Sequence, residues 1–141
     1  MKVFADTSGL FALMVKNDAM HVRSRENFTY FAQQSVQILT SSFVLVETAA
    51  LLQRRIGLNP VHDLHFKILP LLEVIWVDSE WYGRAMQRLL VQGNRNVSLV
   101  DCLSFEIMEA RDITVAFAFD RHFEANGFTL AAFHDLDAGR K

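Results

Sequence analysis

Four acidic side chains stand where a carboxylate is out of place. Asp6 separates the apolar run Val3, Phe4, Ala5 from the run Leu10 to Val15, and Glu47 lies amid Phe43, Val44, Leu45, Val46, Ala49 and Ala50. Asp101 follows Ser98-Leu99-Val100, and Asp120 closes Ile113 to Phe119, seven residues without a charge. Carboxylates brought together repel and raise one another's pKa unless a cation neutralises them. Mg²⁺ suits such a set, because it takes oxygen ligands, binds one or two carboxylates directly and keeps waters that further acids can hold. A cation held this way activates water and stabilises the charge on a phosphodiester under in-line attack. The chemistry suggested is phosphodiester hydrolysis.

Each acid also has an ordinary explanation. Asp6 is placed to cap a helix through the backbone N–H groups that follow it. Ser98 to Asp101 has the spacing of a capping box. Glu47 suits the outward face of an otherwise buried helix. Asp120 before Arg121 reads as a turn residue or an exposed ion pair of little energetic value. The ordinary readings weaken only if the four acids converge, and convergence depends on the elements that carry them.

Short strand-like runs alternate with longer helical patterns. Lys2 to Ala5 reads as a strand, with Thr7 and Ser8 as caps of a short helix through Val15. A turn at Asn17-Asp18 leads to a helix carrying Phe28, Phe31 and Ala32 on one face, and Val36 to Thr40 reads as a second strand. Ser41 and Ser42 cap a helix from Phe43 to Arg55 that Gly57 ends. Pro60 opens another, with Leu64, Ile68, Leu71 and Leu72 apolar. Glu73 to Val77 is a third strand, and Ser79 caps a helix through Gln92. Gly93 to Asn96 is a loop, and Ser98 begins a helix to Arg111. Ile113 to Phe119 is the strongest strand, rich in β-branched and aromatic residues and without a charge, and Phe128 to Phe133 a fifth.

This alternation implies an α/β fold with a parallel sheet and helices on both faces, Ile113 to Phe119 being buried on both sides. Ligands of open α/β sheets gather beyond the carboxyl ends of the strands. Asp6 and Asp120 fall there directly, and Glu47 follows because its helix starts at that edge. Asp101 joins them only if the Gly93 to Asn96 loop returns the chain to the same edge.

The 141 residues predict a single domain, 1–141, with a full core, and 51% apolar content with 12 Phe excludes a disordered chain. A net charge of −2 leaves any phosphate contacts to local groups. Arg54, Arg55, Arg84, Arg88 and Arg95 are the basic candidates for an RNA path in the middle of the chain, their usual reading being a solvated helix face, and Arg95 in the loop is expected to help an RNA substrate more than Arg54. The lone Cys102 makes no internal disulfide, which fits a reducing, cytoplasmic setting. No apolar run approaches the roughly 20 residues of a membrane span.

The ordered set Asp6-Thr7-Ser8, Asp18, His21, Glu47, Ser98-Leu99-Val100-Asp101 and Phe119-Asp120-Arg121-His122-Phe123, leading to Gly127-Phe128, resembles PIN-domain ribonucleases, and among them the VapC-type toxins. The resemblance runs nearly end to end. It implies a three-layer α/β/α sandwich around a short parallel sheet of about five strands. Asp6, Glu47, Asp101 and Asp120 would form the acidic quartet binding Mg²⁺ or Mn²⁺ for endonucleolytic cleavage of RNA. It further implies a homodimer silenced by a cognate antitoxin.

The expected mechanism has Asp6 and Asp101 touching the metal, with Glu47 and Asp120 working through its waters. Thr7, Ser8 and Asn96 are supporting candidates, and Arg95 and His122 are candidates for RNA contact. His21 reads as a structural partner of Asp18. Asp112 departs from the pattern, where relatives often carry glycine. Phe28, Tyr30, Phe31, Trp76 and Trp81 are candidate partner surface or core.

Two enzyme alternatives fall behind. An aspartyl-phosphate phosphatase wants a second aspartate where Ser8 stands, and a receiver domain wants a lysine beyond its last strands, where none is placed. A third alternative is an inactive PIN-fold module that only binds RNA or protein.

Overall fold

The structure, a computed structural model, describes residues 1–132. Its elements are β1 (Lys2–Ala5), α1 (Thr7–Met14), α2 (His21–Gln33), β2 (Gln37–Ser41), α3 (Ser42–Arg55) and α4 (Leu58–Asp63). A π turn (Leu64–Ile68) and a 3-10 turn (Leu69–Leu71) extend α4, and β3 (Glu73–Ile75) and α5 (Ser79–Gln92) follow. The chain continues with α6 (Leu99–Ala110), β4 (Val115–Phe117), α7 (His122–Ala125) and β5 (Thr129–Leu130). Phe133, the last residue of the expected fifth strand, lies outside the described residues.

All strand pairs are parallel, in the order β3-β2-β1-β4-β5, and the fold is the expected three-layer sandwich. The middle strand is β1, whose Val3, Phe4 and Ala5 are fully buried. From β1 the chain moves outward to β2 and β3, then crosses back to β4 on the other side. The switch point therefore lies between β1 and β4, where the crossover connections diverge and leave a crevice.

Several local expectations change in detail. Asp6, Ser41 and Asp78 are the N-caps of α1, α3 and α5, so Thr7, Ser8, Ser42 and Ser79 lie inside the helices rather than capping them. The helix expected to open at Pro60 opens at Leu58. The strand expected over Ile113 to Phe119 pairs regularly only over Val115–Phe117. Beyond Phe117 the chain leaves the ladder, and the Phe119 N–H donates to the Ser8 hydroxyl at 2.9 Å instead. Asp112 stands in the left-handed region at φ 55°, which explains why glycine suits that turn and why aspartate is an acceptable substitute.

Close packing brings α1 against β4. A Cβ on Gly9 would come within 2.3 Å of the Phe117 carbonyl oxygen, so only glycine allows this approach. The Gly9 carbonyl in turn accepts from the Ser24 hydroxyl at 2.8 Å, tying α2 to the same place. Phe31 meets Phe117 edge to face with centroids 5.7 Å apart. Of the aromatic candidates, Tyr30 and Phe31 are core and Phe28 and Trp81 pack against it, while Trp76 stays 71% exposed.

Candidate metal and active site

The end of β1 positions Asp6. Its backbone N–H donates to the Phe117 carbonyl at 3.1 Å, fixing it beside β4, and its Oδ2 accepts from the Ser8 N–H at 3.2 Å and the Ser8 hydroxyl at 2.7 Å. Ser8 thus joins two strand ends, donating to Asp6 while accepting from Phe119. The result is a carboxylate only 3% exposed.

The N-terminus of α6 positions Asp101. The capping box forms: the Ser98 hydroxyl accepts from the Asp101 N–H at 3.0 Å, and Asp101 Oδ2 lies 3.4 Å from the Ser98 N–H. The Gly93 to Asn96 loop does return the chain to the carboxyl edge, because Asp101 Oδ2 lies 3.5 Å from Nδ1 of His122, just past β4. Asp120 Oδ1 accepts from the His122 N–H at 2.9 Å and lies 3.2 Å from the same Nδ1. That ring nitrogen is buried between the two carboxylates, at ion-pair distance from both and aligned as a hydrogen bond with neither.

Asp6, Glu47, Asp101 and Asp120 all line one cavity of about 380 Å³ at the β1/β4 switch point. Ligand atoms of Asp101, Asp120 and His122 lie within 4.8 Å of one another, the one such group among the described residues, and Asp6 and Glu47 line the cavity outside it. Burial, aided by the neighbouring Asp101, pushes the Asp6 carboxyl up to about 6, against the Ser8 hydrogen bonds that favour the anion. Burial and then Asp120 push Asp101 up as well. Asp101 is therefore coupled electrostatically to both Asp6 and Asp120.

This donor set fits a hard divalent cation. Among the described residues, the Ser8 bonds fall on Oδ2 of Asp6, the Ser98 and His122 contacts on Oδ2 of Asp101 and the His122 contacts on Oδ1 of Asp120, so a cation can be met by the other oxygens. Burial first and a neighbouring carboxylate second make the anions of Asp6 and Asp101 costly, a cost that a bound cation would offset. The Thr7 Oγ1 is buried in the cavity wall without a hydrogen-bond partner among the described residues, a group suited to a cation's water. His122 is better placed to hold Asp101 and Asp120 apart than to ligate, since imidazole is not what a hard ion selects.

Other residues fall elsewhere. Thr7 and Ser8 line the cavity, but Asn96 does not; it is exposed, with its N–H on Asn94 Oδ1 at 3.0 Å. Arg95 lines a neighbouring groove of about 410 Å³ with Leu89, Val97 and Leu99, which meets the acidic cavity at Ser98. The His21 ring bonds the Ala12 carbonyl at 2.8 Å rather than the Asp18 carboxylate, which accepts from the Met20 N–H. Asp18 instead lines the acidic cavity, as does Arg55. The four-residue interval from Glu47 through Leu51 to Arg55, one stripe of α3, was the signal for Arg55.

Residues 3–128 match the family model of the PIN domain. The chain belongs to the PIN-domain family. Within it, the 23S rRNA-specific endonuclease VapC20 of Mycobacterium tuberculosis is 33% identical over 127 residues, covering 89% of this chain and 95% of that protein. The crystal structure of VapC20, described as a sarcin-ricin loop cleaving toxin, matches with a TM-score of 0.82 at 31% identity, over 92% of this chain and 98% of that one. VapBC2 from Rickettsia felis shares the fold at a TM-score of 0.68 and 18% identity, over 93% and 98% of the two chains. This PIN domain is thus of the VapC type. No helix among its described residues is long and apolar enough to cross a membrane.

Proposed function

We propose that this PIN domain is a Mg²⁺- or Mn²⁺-dependent endoribonuclease, the toxin of a VapBC-type pair. The observation that carries the reading is the convergence of Asp6, Glu47, Asp101 and Asp120 on one cavity at the switch point. The relative's activity on 23S rRNA makes a ribosomal-RNA hairpin the first substrate to try. A module that only binds RNA would have no use for four acids converging on one cavity.

The divalent cation, when bound, would supply Lewis acidity toward a phosphoryl oxygen and make water a nucleophile near neutral pH. Asp101 and Asp120 offer free oxygens at the tightest point of the cluster, and Asp6 adds a third from the β1 side. Glu47, half-buried on α3, holds and orients water at the cavity wall. Ser8 keeps the Asp6 carboxylate turned toward the site, and His122 holds Asp101 and Asp120 in their mutual orientation. Thr7 presents a buried hydroxyl to the same water shell. Arg95, in the adjoining groove, is placed to meet RNA leaving the cavity past Ser98.

A toxin of this kind works in the cytoplasm, where Cys102 stays a buried thiol, and needs an antitoxin to silence it. Exposed Val46 and Trp76 flank an apolar groove of about 240 Å³ between α3 and α4, surface that a second subunit or the antitoxin would cover. The test is cleavage of a 23S rRNA hairpin carrying the sarcin-ricin loop by purified protein. Cleavage with Mg²⁺, its loss in EDTA and its absence from Asp101→Asn are expected. Undiminished cleavage by Asp101→Asn overturns the reading.

A further inference from the structure

Five acids line the catalytic cavity, Asp18 being the fifth, and among its described lining residues one base, Arg55. An arginine opposite clustered carboxylates would ordinarily form an ion pair with one of them. Arg55 forms none among the described residues; its guanidinium carbon lies instead over the Phe11 ring, 5.6 Å from the centroid. Phe11 also lines the cavity, one helical turn beyond Thr7 on α1. Arg55 is exposed, so the stacked guanidinium is reachable from solvent.

The stripe Glu47, Leu51, Arg55 runs down one face of α3, and a rise of about 1.5 Å per residue sets Arg55 about 12 Å along the axis from Glu47. That distance is too great for contact with the phosphate under attack. It suits the next part of a strand lying along the cavity. A planar cation backed by an aromatic ring stacks on a nucleobase and pairs with a phosphate, the two features of single-stranded RNA that any sequence presents. Leu51 and Met20 add apolar lining to the same cavity.

We propose that Arg55, held on Phe11, is a positioning residue that binds a nucleotide flanking the reacting phosphodiester. The inference rests on the ribonuclease reading above. Arg54 provides the control. It shares the last turn of α3, so it enjoys the same interaction with the helix C-terminus, but it does not line the cavity. A merely helix-stabilising role would be common to both arginines.

Steady-state cleavage of the same ribosomal-RNA hairpin with Mg²⁺ tests this. Arg55→Ala should raise KM about tenfold with kcat within about twofold of the parent. Arg55→Lys, which keeps the charge and loses the planar fork, should recover less than half of the loss. The salt dependence of KM should weaken by about one phosphate contact. Arg54→Ala should move neither constant by more than about twofold. Equal KM values for Arg55→Ala and Arg54→Ala overturn the proposal, as does a fall in kcat at constant KM. Parent protein that cleaves no RNA sinks the ribonuclease reading and this one with it, an outcome distinct from cleavage indifferent to Arg55.

Discussion

Asp6 and Asp78 carry the same local signature and do different work. Each follows a strand, each is the N-cap of the next helix, and each accepts a hydrogen bond from a backbone N–H just ahead, Ser8 at 3.2 Å and Trp81 at 2.9 Å. Asp78 is exposed, whereas Asp6 is 3% exposed. The cause is strand order: β1 is the middle of the sheet and β3 its edge. An edge strand delivers its carboxylate to solvent. The central strand delivers Asp6 to the crevice that Asp101 reaches from α6 and Asp120 from the end of β4. Capping is thus common to both, and the site arises only where capped carboxylates are forced together.

The sharpest way to break the comparison is to neutralise each aspartate. Asp6→Asn keeps an acceptor for Ser8 but removes a charge the cation needs, and should lower the cleavage rate about 10³-fold or more. Equal activity in Asp6→Asn and the parent would mean that the two caps are equivalent after all.

Proton linkage separates them next. The Asp6 carboxyl is raised from an ordinary value of 3.8 to about 6 by burial and Asp101. Between those pH values the folded protein holds a proton that the unfolded chain has released. Without a metal, stability should therefore fall as pH rises from about 4 to about 6, by on the order of 3 kcal/mol, and stay low above that. Urea midpoints across this range should show the decline in the parent and a flatter profile in Asp6→Asn. Mn²⁺ affinity should run the other way, weakening as pH drops below about 6, because the ion must displace that proton. A metal affinity independent of pH between 5 and 7 would refute the assignment of Asp6 as a ligand.

The smallest effect belongs to Asp78. Asp78→Ala should cost about 1 kcal/mol through loss of the cap, read as a lower urea midpoint, while cleavage stays within about twofold of the parent. A large activity loss there would show that α5 takes part in shaping the site.

Much of this arrangement was legible before any coordinates. Asp6 and Asp120 follow apolar strands directly, so their place at the carboxyl edge needed only the rule for parallel sheets. The Ser98 to Asp101 capping box is local and formed as expected. Less legible were contacts between distant segments. His21 is a structural partner of Asp18 through its backbone N–H, which donates to the Asp18 carbonyl at 3.0 Å, but its ring reaches the Ala12 carbonyl, nine residues away, which local spacing does not reveal. Asn96 lay close in sequence to Asp101, yet the loop turns it outward. Ser8 reads locally as a cap, yet its hydroxyl bridges Asp6 and Phe119, residues near opposite ends of the chain.

The sequence by itself determined the element types, the parallel sheet and the four acids, because apolar period, caps and strand ends are local properties of the chain. Only the tertiary structure decided that Asp101 shares a cavity with Asp6 and Asp120, that the His122 ring lies near two carboxylates, and that Arg55 lines that cavity while Arg54 does not. Those outcomes depend on strand order and on how closely α1 and α6 approach the sheet. Gly9 against Phe117 sets one such approach, and no periodicity in the chain encodes its distance. The charge frustration of Asp6 has the same origin: burial and neighbours raise a pKa, and both come into being only when the sheet closes around the β1/β4 switch point.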